Sequence, residues 1–118
     1  MTYMYPINRQ IAIIKPKKFY IDWINSLPEM EGNFDIGSLT KDCTAILLPD
    51  DLDTDEESIK YIKAIYKKLF EIELKGWCID KNFWPKNRNF ALFNEWFDLE
   101  FHSEIYDSLE TDIEKEEY

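Results

Sequence analysis

The chain has 118 residues, 45% of them hydrophobic, and a net charge of −10. That length fits one domain able to bury roughly two-thirds of its unfolded surface without disulfide or metal staples. Twelve of the 24 acids fall in two segments, Asp50–Glu57 and Asp107–Tyr118, and the rest of the chain is close to neutral. This layout argues against a nucleic-acid binder, which needs a basic footprint, and against a mimic of DNA, which needs acids ordered over a continuous surface.

In chain order, Arg9–Ile14 is a β-branched run ended by Lys15-Pro16 and predicts a strand. Pro16 suits the first turn of a following helix, where its missing N–H costs nothing. Phe19, Trp23 and Leu27 recur at i, i+4, i+8, with Tyr20 and Ile24 beside them, and predict one apolar helix face stopped by Pro28. Residues 29–42 hold Gly32, Asn33, Gly37 and Ser38 and read as a loop. Cys43–Leu48, apolar at nearly every position and closed by Pro49, reads as a strand covered on both faces.

The strongest helix is expected from about Glu56 to Lys75. Thr54 and Glu57 fit a capping box, acids occupy the first turn, and Gly76 is the expected cap. Ile59, Ile62, Ile65, Tyr66, Leu69 and Ile72 make its apolar stripe, and Lys60, Lys63 and Lys67 its solvated side. Residues 77–88 form an irregular connection around Trp84-Pro85, a bond worth checking for the cis form. Asn89 caps a short helix presenting Phe90, Phe93 and Phe97, with Trp96 next to them. From Asp98 the pattern alternates: Leu99, Phe101, Ser103 and Ile105 on one side, Glu100, His102, Glu104 and Tyr106 on the other. The order β-α-β-α-α-β predicts an α+β domain over residues 1–111 with three strands in one sheet, and a frayed acidic tail over 112–118.

Function is less legible than fold. Met1–Gln10 lacks the basic and apolar regions of a signal peptide, and no apolar run approaches the ~20 residues of a membrane span. Cys43 and Cys78 fit free thiols in a reducing cytosol, with a single disulfide as the alternative. Asp51, Asp53 and Asp55 have the spacing that opens a calcium loop. However, Glu56 stands where that loop needs glycine, and Ile62 where it needs a bidentate acid. Glycine-rich phosphate loops are absent, and with one histidine and no nucleophile motif a catalytic triad is not expected. Glu100, His102 and Glu104 would share one strand face and are the candidates for acid–base or metal chemistry. A solvated strand face explains them as well, since neighbours on one strand stand too far apart to converge on a metal alone. No cofactor is implied.

Nine of the chain's aromatic residues lie between Trp77 and Tyr106. Periodicity assigns Phe90, Phe93, Phe97 and Phe101 to a core. Trp77, Phe83 and Trp84 sit where no periodicity specifies burial, so they are either loop packing or a partner-binding surface. The run GWCIDKNFWPKNRNFALFNEWFDLEFHSEIYDS resembles a family of small, acidic, uncharacterised bacterial proteins. The shared features are Trp77 after the long helix, the Trp84-Pro85 turn, Phe93 with Trp96-Phe97, and Phe101-His102-Ser103. The resemblance implies a bacterial cytosolic protein and carries no activity or catalytic residue with it. The expectation is therefore an interaction or accessory module with an unknown protein partner, contacting through Trp77, Phe83 and Trp84, and no membrane or nucleic-acid role. The alternatives are a small enzyme using Glu100, His102 and Glu104, or an acidic inhibitor of a basic partner through Asp50–Glu57.

Overall fold

A computed structural model describes residues 2–28, 30 and 34–117. In chain order the elements are β1 (Tyr5–Pro6), β2 (Arg9–Pro16), α1 (Lys18–Ser26), α2 (Ile36–Leu39), β3 (Thr44–Pro49), α3 (Asp55–Lys75), α4 (Phe90–Trp96), β4 (Phe97–His102) and β5 (Tyr106–Asp107). A single 3₁₀ turn, Lys81–Phe83, lies between α3 and α4. The architecture is α+β: an antiparallel three-stranded sheet in the order β3-β2-β4, packed by helices, and a two-stranded ribbon β1-β5.

The β-branched run of β2 takes the centre, pairing Ile14 with Thr44 on one side and Leu99 on the other. Its Ala12, Ile14 and Pro16 are buried, and Ile11 and Ile13 are half-buried on the opposite face. Helices cover only the first of these faces. This overturns the expectation of a doubly covered second strand: Thr44, Ala45 and Leu47 of β3 are exposed and Leu48 alone is fully buried. An unbroken apolar run specifies a strand, but the number of covering layers depends on where the helices land.

Pro16 also departs from its expected place. It is the last residue of β2, opposite Phe97, and Lys17 occupies the cap position of α1 while its N–H donates to Trp96 O at 2.8 Å. α1 keeps most of its expected face, with Trp23 half-buried, but that face is displaced toward Ile21 and away from Phe19. Tyr20, Ile21, Ile24 and Leu27 are buried, whereas Phe19 is 60% exposed. Within that face the Tyr20 hydroxyl donates to Glu73 O on α3 at 2.9 Å, a polar closure Phe19 cannot make. The segment read as a loop contains the single turn α2, whose Asp35 Oδ1 accepts from Ser38 N at 2.8 Å.

α3 begins as its capping box dictates, with Glu57 N donating to Thr54 Oγ1 at 3.1 Å. The return bond reaches one residue further, from Asp53 N to Glu57 Oε2 at 2.9 Å. The buried stripe is Ser58, Ile62, Leu69, Phe70 and Leu74, leaving Ile59 exposed and Ile65, Tyr66 and Ile72 half-buried. Gly76 takes the cap with a helical φ of −60°. Asn89 caps α4 by accepting from Leu92 N at 2.8 Å. The core forms around Phe70, whose ring makes T-shaped pairs with Phe93, Trp96 and Phe97, centroids 5.5–5.8 Å apart. Such pairs add about 0.5–1.5 kcal/mol each beyond area burial.

β4 turns Phe97, Leu99 and Phe101 inward and Asp98, Glu100 and His102 outward, as the alternation predicts. It stops at His102, earlier than expected. Ile11 faces His102 and Pro6 faces Tyr106, so the N-terminal side carries one more residue between the two pairings. An extra residue of this kind breaks strand alternation. Glu104 therefore falls outside the strand, and Tyr106 belongs to the ribbon. Cys43 and Cys78 are free, Trp84–Pro85 is trans, and residues 112–117 carry no regular element. Among the described residues no helix is long and apolar enough to cross a membrane.

Candidate interaction surface

The chain from Trp77 to Trp84 is irregular in sequence but tightly closed in space. Trp77 N and Cys78 N both donate to Leu74 O, at 3.1 and 2.9 Å, which ends α3. Asp80 Oδ1 accepts from Asn82 N at 3.0 Å and starts the 3₁₀ turn. Two indoles then lock the loop. Trp84 Nε1 donates to Cys78 O at 2.8 Å, and Trp23 Nε1 of α1 donates to Phe83 O at 2.8 Å. Lys81 and Arg88 lie over the Trp84 ring at 5.6 and 5.4 Å, positions of cation–π attraction.

The three sequence candidates consequently separate. Trp84 is 3% exposed and belongs to the core, which corrects its assignment to a partner surface. Phe83 is 46% exposed. Trp77 is half-buried in a T-shaped pair with Phe34, ring centroids 5.2 Å apart. Trp77 and Phe83 line an open groove of about 530 Å³ whose other walls include Leu27, Pro28, Met30 and Ile79. Ile79 is 86% exposed at this groove. Sequence reading missed it because an isolated isoleucine in a loop has no periodic partner to mark it. Leu27 and Met30 were likewise invisible, since they reach the groove only when the end of α1 meets the end of α3.

Trp77 has a second side. Together with Tyr20, Cys43, Thr44 and Glu73 it lines a smaller cavity of about 90 Å³. Tyr20 Oη reaches Glu73 Oε2 at 3.3 Å, and Glu73 Oε1 is buried with no hydrogen-bond partner among the described residues. Burial holds the Glu73 carboxyl above its ordinary range, opposed by hydrogen bonding from the Thr44 and Tyr20 side chains. Burial first, and then the Glu73 charge, push the Tyr20 phenol up as well. The Cys43 thiol is raised, mainly by desolvation, and so is shifted away from the reactive thiolate.

The other predicted cluster is only partly assembled. Glu100 Oε2 and His102 Nε2 approach to 3.3 Å on the uncovered sheet face, both well exposed. Their neighbours in register are Ile13 and Ile11 of β2. Glu104 lies beyond the end of β4, and among the described residues no group of three His, Cys, Asp or Glu side chains is placed to hold a metal. Comparison with protein-family models, with curated proteins and with solved structures gives no match.

Proposed function

We propose that this protein is a protein-interaction module of the bacterial cytosol, and a member of the family it resembles, whose contact surface is the groove walled by Trp77, Ile79 and Phe83. The observation that carries the reading is Ile79, almost wholly in water, beside a half-exposed Phe83 and an apolar groove. Apolar area of this kind gains about 25 cal/mol per Å² when covered, so a partner's side chains gain by filling the groove while Ile79 projects into the partner. Tryptophan, which Trp77 contributes to the lining of the groove, is among the residue types most enriched at binding hot spots. The loop is also prepared for binding, because the Cys78–Trp84 and Phe83–Trp23 bonds fix its backbone beforehand.

The test compares wild type with Ile79→Asp and Phe83→Asp, each checked for wild-type circular dichroism, in quantitative co-purification from the source cell. Lys63→Ala on the solvated side of α3 serves as control. Both groove variants should reduce partner recovery by about 30-fold, the loss of an interface hot spot, while the control retains it. Equal recovery by the groove variants would overturn the reading.

A further inference from the structure

The sheet has two edges, and they are built differently. β4 has Asp98, Glu100 and His102 on its outward side, with Asp98 paired to Lys17 at 3.4 Å and Glu100 beside His102. Charged side chains are the usual device that stops an edge from pairing with another chain. β3 has none: it reads Thr44-Ala45-Ile46-Leu47-Leu48-Pro49, and Pro49, which lacks an N–H, stands only at its end. Among the described residues β3 pairs with β2 alone, so its other side offers unpaired backbone groups. Ala45 and Leu47, the latter 43% exposed, lie in register beside Ile13 and Ile11, making an apolar strip two strands wide on the uncovered face.

We propose that the free edge of β3 is a docking site for an extended, basic segment of a partner protein, which adds to the sheet as a fourth strand. Backbone pairing supplies affinity and the apolar strip reads alternate side chains. Charge selects the occupant. β3 runs directly into Asp50, Asp51 and Asp53, all exposed, and none of them is in an ion pair among the described residues. That loop is held in place, because Gln10 Nε2 on β2 donates to Leu52 O at 2.7 Å. An incoming strand with lysine or arginine at the end lying against 50–53 meets a fixed cluster of opposite charge, which also sets its direction. A second copy of this chain is the disfavoured occupant, since it carries a net charge of −10 and brings its own Asp50–Glu57 loop to the same edge. This surface is separate from the Trp77–Phe83 groove and does not depend on it.

The experiment uses the full chain, labelled with nitrogen-15, and a synthetic peptide of alternating valine and threonine ending in three lysines. The matching peptide ending in three glutamates is the comparison. Amide shifts should change along residues 44–53 and the adjoining part of β2, with binding of the basic peptide at least about 10-fold tighter and weakened by salt. Leu47→Lys, which places a charge on the open edge, should weaken binding by about 10-fold, and Ala45→Lys repeats the test at a second exposed site. Replacing Asp50, Asp51 and Asp53 together by Asn should remove the difference between the two peptides, while Ile79→Asp should leave binding unchanged. No binding at millimolar peptide, shifts confined to 77–83, equal affinity for the acidic peptide, or concentration-dependent dimerisation through β3 would each overturn the proposal.

Discussion

Phe83 and Trp84 are adjacent in the chain, equally aromatic, and come to opposite ends. Phe83 is half in water on a groove wall, and Trp84 is sealed in the core. Hydrophobicity alone does not separate them. The difference is that an indole has a donor and a phenyl ring does not. Trp84 Nε1 finds the carbonyl of Cys78, and two cations close over its ring, so its burial is complete in both polar and apolar respects. Phe83 contributes its backbone carbonyl to Trp23 and leaves its ring free for other contacts. In a loop without periodicity, polar closure decides which large ring goes inside.

The comparison is broken most severely at Trp84. Trp84→Ala should destabilise the fold by about 3–5 kcal/mol in chemical denaturation, the cost of emptying a buried aromatic site. Trp84→Phe keeps most of the volume but leaves Cys78 O without its donor and should cost about 1–3 kcal/mol. Phe83→Ala, one residue earlier, should cost about 1 kcal/mol or less, as expected for a half-exposed ring. Similar losses at 83 and 84 would remove the distinction.

A second effect comes from behind Trp77. The Glu73 carboxyl is raised above its ordinary value of 4.5 by burial, so the folded state binds this proton more tightly than the unfolded state. Its contribution to stability is therefore complete below that value and is lost as pH rises through the elevated one. Glu73→Gln mimics the neutral acid. Urea midpoints measured from acid to neutral pH should show the variant's advantage over wild type growing as pH increases. An advantage independent of pH would mean that Glu73 titrates normally. The smallest effect is expected at the exposed sheet face, where His102→Ala should change stability by less than about 0.5 kcal/mol and leave partner recovery through the groove intact, read by the same denaturation and co-purification assays.

Much of the scaffold was readable because its signals are local. Thr54 and Glu57 start α3, Asn89 starts α4, and the alternation from Asp98 to His102 sorts β4 into an inner and an outer row, although Phe97, expected on the helix, is the first residue of that strand. The candidate surface was readable only in part. Trp77 and Phe83 stood out as unpatterned rings, but Ile79, Leu27 and Met30 carried no mark, and Trp84 looked the same as Phe83. The ribbon of β1 and β5 was missed because two residues a side are too few to show a period.

By itself, the sequence determined the α+β class, the three strands of the main sheet, the long helix with its cap, and an aromatic core around the α4–β4 junction. Each of these follows from neighbours within one or two turns of chain. Tertiary structure alone decided that Phe19 of α1 stays in water, that one side of the sheet stays open, that β3 is an unprotected edge, and that Trp77 divides an apolar groove from a buried acid. Those outcomes rest on closures such as Tyr20 with Glu73 and Trp23 with Phe83, more than fifty residues apart, which no local pattern encodes.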